Sequence, residues 1–247
     1  MASSIDIFPG SRYTTFDGSA YYKKMCVFDT ADGISNVVLQ GVEWESVVCD
    51  RMAQFYIPGS DVIDIGANIG LNSIGMHRRV SGMFGNGTIH LFEPQHDVFS
   101  ALRYNTRHMP VSLYNMGIAD DMRILRYEQL FGNIGGTPMQ GQGGAVGSPF
   151  AIQVSPRSNS ILAIPLDAIE FRNKVSVLKI DVEGCEHSVL IGARKTIAHH
   201  QPTIIIEAWE QNRTVVFDEL TNMGYIMKEN VIDTFGDDFI WVPASKT

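Results

Sequence analysis

The sequence predicts a doubly wound α/β fold, in which helices cover both faces of a mostly parallel sheet. Short apolar runs alternate with helical segments along the chain, and a glycine-rich turn joins the first run to a helix. Apolar strands separated by helices are typical of right-handed βαβ units. With 247 residues, 45% of them hydrophobic, the chain can bury one sizeable core.

The N-terminal part is predicted to cap this core. Residues 1 to about 20 are rich in Ser, Gly and Thr, which predicts a loose arm. Apolar residues then recur at helical spacing over 42–56, before Pro58-Gly59 ends the element. We therefore expect an arm and a helical cap in residues 1–57 and the core in residues 58–247.

The core is predicted to contain seven strands. Strand patterns occupy 61–65, 88–92, 111–116, 175–180, 203–206, 225–227 and 239–242, and helical patterns occupy 68–80, 95–106, 185–200 and 212–223. The last two strands lack an intervening helix, so we expect them to pair with each other.

An insertion interrupts this rhythm at about residues 121–165. Strand-like segments at 123–127, 150–154 and 161–164 predict an antiparallel unit, and glycines crowd the stretch between them. The glycine-rich tip, residues 139–148, cannot pack a core by itself, and a connection of this length is often an active-site lid.

Composition and charge exclude several classes of protein. A net charge of −8 argues against a broad nucleic-acid surface, which needs clustered Lys and Arg. The apolar runs are too short to span a membrane, and Cys26, Cys49 and Cys185 have no spacing typical of disulfides or zinc sites. We expect a cytoplasmic protein that acts on a small acceptor.

The glycine turn after the first core strand predicts a ligand site. In doubly wound sheets, ligands bind beyond the carboxyl ends of the strands. A dinucleotide fingerprint that starts at Gly66 would need glycine at positions 68 and 71, where this chain has Asn68 and Leu71. The turn therefore does not match a dinucleotide-binding site.

S-adenosylmethionine suits the same turn, because it has no pyrophosphate but carries an ammonium and a carboxylate. We expect Asp64 near the ammonium, with Gly66 and Ala67 allowing close approach of the backbone. The backbone N–H groups around Asn68 to Gly70, at a helix N-terminus, would face the carboxylate.

Two further segments complete the predicted donor site. The second strand ends in Glu93-Pro94, where a carboxylate can accept both ribose hydroxyl groups. After the third strand, near Ile118 to Asp121, the backbone, including that of Ala119, or the side chain of Asp120 is expected to contact the adenine edge.

These motifs and later ones resemble the FkbM-type methyltransferase family. The resemblance rests on Asp64-Ile-Gly-Ala-Asn-Ile-Gly70, Phe92-Glu93-Pro94, Pro165-Leu166-Asp167, Lys179-Ile-Asp-Val-Glu-Gly184 and Gln201-Pro-Thr-Ile-Ile-Ile-Glu207, with Trp44-Glu45 ahead of them. It implies a class I, Rossmann-like methyltransferase fold, S-adenosylmethionine as the donor and O-methylation as the usual reaction. Sugars and natural-product hydroxyls are the acceptors that it implies.

The predicted catalytic end lies at the tips of two adjacent parallel strands. Strand alternation puts Lys179 and Asp181 on one face, with Glu183 in the next turn and Glu207 at the end of the neighbouring strand. Asp181, which also borders the donor, is expected to act as a base.

Asp181 and Glu207 could instead hold magnesium or manganese, but two acids are fewer ligands than a hard cation usually has. Two other functions stay open: N-methylation of a small amine, and a catalytically silent module that binds S-adenosylmethionine. The oligomeric state is not predicted.

Overall fold

The computed structural model describes residues 11–15, 21–28, 32–127, 159–232 and 236–246. The predicted insertion strand at 150–154 and the tip at 139–148 lie outside the described residues. The strands are β1 (Ser11–Thr15), β2 (Lys24–Phe28), β3 (Asp61–Ile65), β4 (Ile89–Phe92), β5 (Val111–Tyr114), β6 (Gly117–Ile118), β7 (Arg123–Tyr127), β8 (Asn159–Ile164), β9 (Val175–Ile180), β10 (Thr203–Glu207), β11 (Tyr225–Ile232) and β12 (Asp237–Pro243). The α-helices are α1 (Gly33–Leu39), α2 (Ser46–Phe55), α3 (Leu71–Arg79), α4 (His96–Asn105), α5 (Glu186–Gly192), α6 (Arg194–His200) and α7 (Arg213–Asn222).

The main sheet has seven strands in the order β11-β12-β10-β9-β3-β4-β5. Strands β10, β9, β3, β4 and β5 are parallel, whereas β12 runs antiparallel to both β10 and β11. This arrangement confirms the predicted seven-stranded α/β fold and the closing strand pair.

Both faces of the central strands are covered, so β3 and β9 are buried along their whole lengths. On one face, Ile63 packs in a cluster that includes Val189 of α5 and Leu220 of α7. On the other face, Val62 packs in a cluster that includes Met52 of α2.

The order of the strands reverses beside β3. The chain passes from β3 to β4 and β5 on one side, and then returns to place β9 on the other side. Such a switch point opens a crevice at the carboxyl ends of the strands, where ligands bind in this class of fold.

The N-terminal cap contains more regular structure than expected. The predicted loose arm is wrong for β1, which pairs antiparallel with β2. Strand β2 was missed because four consecutive buried residues follow Lys24, without the alternation typical of a half-buried strand. The amide of Asn105 on α4 binds both backbone groups of Cys26, which ties β2 to the core.

The insertion forms a small sheet of its own within the described residues. Strand β7 pairs antiparallel with β8, and β6 pairs parallel with β8 on its other side. In the part of the chain that the structure describes, no helix is long and apolar enough to cross a membrane.

Asp167 connects this insertion to the helical layer. Its carboxylate accepts hydrogen bonds from the N–H of Lys195 at 3.0 Å and of Thr196 at 2.8 Å, and from the Thr196 hydroxyl at 2.8 Å. The first-turn N–H groups of a helix have no partner within the helix, so this side chain caps α6.

We expect Asp167→Ala to lower the free energy of unfolding by about 0.5–2 kcal/mol, because it removes this cap. Urea denaturation measures the change, with the exposed Asp218→Ala on α7 as the control. Equal stability of the two variants would show that α6 does not depend on the cap.

Candidate active site

A cavity of about 470 Å³ lies at the carboxyl ends of β3, β4, β9 and β10. Its walls combine the segments after these strands with the N-terminal cap and the insertion. The lining residues are Gly33, Ile34, Trp44, Glu45, Ile65, Gly66, Ala67, Asn68, Leu71, Asn72, Phe92, Glu93, Pro94, Gln95, Met116, Gly117, Ile118, Leu125, Asp181, Val182, Glu183, Cys185 and Glu207.

The glycine turn after β3 needs its glycines for contact and for conformation. A Cβ atom on Gly66 would lie 1.7 Å from the carbonyl oxygen of Asp181, so only glycine lets these two loops approach. Gly70 has a φ of 94° immediately before α3. The N–H groups of Asn68 to Gly70, which the sequence predicted to face the donor carboxylate, instead donate hydrogen bonds within the chain, to Glu93 Oε2, Asn68 Oδ1 and the Ala67 carbonyl oxygen.

Glu93 is the buried acid at the end of β4, and its side chain connects the glycine turn to the start of α4. Its carboxylate accepts hydrogen bonds from the N–H of Asn68 at 3.1 Å and of Gln95 at 2.8 Å. Burial raises the pKa of Glu93 to about 8, although both N–H groups oppose the shift. The predicted ribose-binding acid thus lines the cavity beside the turn.

Gln95 lines the same part of the cavity and was not predicted from the sequence. Its side chain is 2% exposed, and its Oε1 atom accepts no hydrogen bond from the described residues. A buried amide oxygen without a donor is costly, so this group is suited to a ligand that brings one. No motif indicated it, because Gln next to a strand end is common.

Two predicted adenine contacts lie away from the cavity. Asp120 is exposed, and its carboxylate binds the Ser188 hydroxyl and Arg123. Ala119 packs closely against Gly192 of α5. The prediction for both positions is corrected: the β6 residues Gly117 and Ile118 line the cavity instead.

Lys179 is buried behind the catalytic end of the cavity. It is 1% exposed, and its Nζ lies 2.8 Å from Oδ2 of Asp181. Burial lowers the pKa of Lys179, but four carboxylates raise it well above its ordinary value, so the ammonium stays charged. These carboxylates belong to Asp181, Glu45, Asp64 and Asp238.

Asp181 and Glu207 both line the cavity and share one proton. Burial and the Asp181 charge raise the pKa of Glu207 to about 10, so at neutral pH it donates a hydrogen bond to Asp181. Burial also raises the pKa of Asp181, but Lys179 and this hydrogen bond outweigh it and hold the pKa below its usual range. The pair is therefore one ionised and one neutral carboxyl group.

Glu183 has a different environment. It lines the cavity with a left-handed φ of 52°, and no described residue donates a hydrogen bond to its side chain. Burial, followed by the charges of Asp181 and Glu186, raises the pKa of Glu183 to about 7. Glu186 has a structural contact instead, because it accepts a hydrogen bond from the Gly184 N–H at 2.7 Å.

Asp64, predicted to face the donor ammonium, does not line the cavity. It is 1% exposed and accepts a hydrogen bond from the Ser73 hydroxyl at 2.6 Å, while its Oδ1 atom has no hydrogen-bond partner among the described residues. Burial raises the pKa of Asp64. The register of the strands explains the placement: Asp64 pairs with Lys179, two residues before Asp181, so it lies deeper in the sheet than the cavity.

No three His, Cys, Asp or Glu side chains are grouped to hold a metal ion in the described ranges. The two acids predicted as potential metal ligands, Asp181 and Glu207, are instead engaged with Lys179 and with each other.

The comparison with protein families decides the class of this site. Residues 64–227 match the methyltransferase FkbM domain, so the match covers more than half of the chain and includes the end of β3, Glu93, Asp181 and Glu207. The chain belongs to the FkbM methyltransferase family. This is a family of S-adenosylmethionine-dependent methyltransferases. No curated protein matches the sequence of this chain.

Solved structures agree on the fold of this FkbM methyltransferase. An FkbM methyltransferase from Methylobacillus flagellatus KT is 17% identical with a TM-score of 0.52, and the match covers 77% of this chain and 47% of that one. The chain therefore spans about half the length of that structure. An S-adenosylmethionine-dependent O-methyltransferase from Thermotoga maritima is 8% identical with a TM-score of 0.50, over 94% and 77% of the two chains. At these identities, the likenesses establish only the class I methyltransferase fold.

The cavity of this FkbM methyltransferase fits S-adenosylmethionine by charge. Five carboxyl side chains line it, whereas no described lining residue is Lys, Arg or His. The donor brings a sulfonium and an ammonium, which compensate buried carboxylates.

We expect Glu93→Gln to weaken binding of S-adenosylhomocysteine by about 1–3 kcal/mol at pH 9, where Glu93 is ionised, because an amide replaces the carboxylate that would accept the ribose hydroxyl groups. Calorimetry measures the affinity. Asp120→Asn is the control, since Asp120 lies outside the cavity. Unchanged affinity in Glu93→Gln would remove the ribose assignment.

Proposed function

We propose that the enzyme methylates a hydroxyl oxygen of a sugar or a similar small, uncharged acceptor. The observation that carries this proposal is the group of three carboxyl side chains, Asp181, Glu183 and Glu207, on the wall of the donor cavity. An alcohol is a poor nucleophile while it keeps its proton, so a hydroxyl acceptor needs a base. A neutral amine would need little help of this kind.

Of the three carboxyl groups, that of Glu183 has the pKa best suited to take that proton. A general base works best when its pKa is close to the working pH, and the pKa of Glu183 is raised to about 7. Asp181, which the sequence suggested as the base, has a pKa below its usual range. Glu207 is protonated at neutral pH and cannot accept a proton.

Asp181 and Glu207 then act as positioning groups. S-adenosylmethionine supplies an activated methyl group when bound, and the acceptor oxygen must lie in line behind it. Lys179 fixes one oxygen of Asp181 at 2.8 Å, and Glu207 donates to the same carboxylate. This network keeps the ionised carboxylate rigid beside the cavity.

The charge of the cavity favours an uncharged acceptor over an anionic one. A phosphate or carboxylate on the acceptor would face several carboxyl groups without a cation on the described cavity wall.

We expect Glu183→Gln to lower kcat about 10²- to 10⁴-fold, because the amide cannot take up the proton. In the unchanged enzyme, kcat/KM should rise with pH up to about 7, as Glu183 loses its proton, and this rise should disappear in the variant. Donor affinity should be nearly unchanged. A retained rise near pH 7 would assign the base elsewhere.

A chelator should leave turnover unchanged, because Lys179 already provides the positive charge beside Asp181 and a protonated Glu207 does not bind cations. Activity measured with and without EDTA tests this expectation. Asp181→Asn should lower kcat in both conditions. If EDTA abolishes turnover by the unchanged enzyme, a metal ion between Asp181 and Glu207 is favoured instead.

An acceptor screen tests the proposed function itself. Neutral sugars and small amines are compared by mass spectrometry of the products. Methylation of amines alone would replace O-methylation by N-methylation.

A further inference from the structure

One of the five acids that line the donor cavity, Glu45, comes from the N-terminal cap and lies beside the start of α3. Glu45 is 7% exposed, and its Oε2 atom accepts a hydrogen bond from Nδ2 of Asn72 at 2.8 Å. Asn72 lies in the first turn of α3, immediately after the glycine turn. The Glu45 carboxylate is therefore tied to the helix N-terminus that faces the cavity.

The backbone conformation at Glu45 and the ion pairs next to it fix the position of this side chain. Glu45 has a left-handed φ of 40°, which is unfavourable for a residue with a side chain, and it stands directly before α2. The neighbouring Glu43 forms ion pairs with Arg78 and Arg79 at the far end of α3, the latter at 2.7 Å. These contacts fix the segment before α2 along α3.

This corner of the cavity matches the amino-acid end of the donor. The N–H groups at the start of α3 suit the α-carboxylate of the donor. The donor's α-ammonium is bonded to the same carbon atom as that carboxylate, so it would lie beside the Glu45 carboxylate. Trp44, the residue before Glu45, lines the same cavity, and aromatic side chains attract ammonium groups. Asp64 cannot fill this role directly, since it lies behind the cavity wall against Ser73.

We propose that Glu45, rather than Asp64, binds the α-ammonium of the methyl donor. This assignment rests on the proposed function only in requiring S-adenosylmethionine as the donor, and it does not depend on the acceptor. The N-terminal cap then contributes to the donor site as well as covering the sheet.

The test compares S-adenosylhomocysteine with its deamino analogue, which keeps the carboxylate and lacks only the ammonium. Calorimetry on the unchanged protein should show about 10- to 100-fold weaker binding of the analogue, the range for a charge-assisted hydrogen bond. In Glu45→Gln the two ligands should bind within about twofold of each other. Glutamine keeps an oxygen for Asn72, and Asp181, Asp64 and Asp238 still compensate the charge of Lys179.

Two variants serve as controls. Asp64→Asn should keep the difference between the two ligands, and Glu45→Asp, which retains the charge, should recover part of it. Thermal denaturation confirms that each variant is folded.

Equal binding of both ligands by the unchanged protein would overturn the proposal, whatever the variants do. A full difference that persists in Glu45→Gln, or one that disappears in Asp64→Asn, would also overturn it. If binding depends on the α-ammonium and on Glu45 but no hydroxyl acceptor is methylated, the proposed function is rejected and the role of Glu45 stands.

Discussion

The buried ammonium of Lys179 is the constraint on which the site depends. A lysine that is 1% exposed is tolerated only with compensating charge, and carboxylates from four parts of the fold supply it. Asp64 comes from β3, Asp181 follows β9, Asp238 belongs to β12, and Glu45 precedes α2. The Lys179 ammonium thus interacts with acids from both the central strands and the N-terminal cap. Removing it would leave several buried carboxylates without a compensating positive charge.

The acids outnumber this cation, so the site cannot have all of them ionised at once. Glu207 keeps its proton to about pH 10, whereas Glu183 loses its proton near pH 7. These differences arise from burial and from the neighbouring Asp181 charge. A ligand with two positive groups relieves the same imbalance, which connects the electrostatics of the fold to the choice of a sulfonium donor.

Backbone strain is concentrated at the same place. Within the described residues, the non-glycine positions with positive φ are Glu45, Asn68, Glu183 and Gln201. The first three line the cavity, and the fourth ends α6. Left-handed conformations of residues with side chains persist when surrounding contacts enforce them, and they collect at functional sites. Contacts such as Asn72 to Glu45 and Asn68 to Glu93 provide this enforcement.

The sequence alone determined the α/β class, the turn after β3 and the acid at the end of β4, because each depends on local spacing along a strand, a turn and a helix. Only the tertiary structure decided which acids face the ligand. It placed Asp64 behind the wall and Asp120 on the surface, and it brought Glu45 and Gln95 into the cavity. The reason is physical: the exposure and the pKa of a carboxyl group depend on neighbours that are distant in the chain, and no local pattern records which residues those will be.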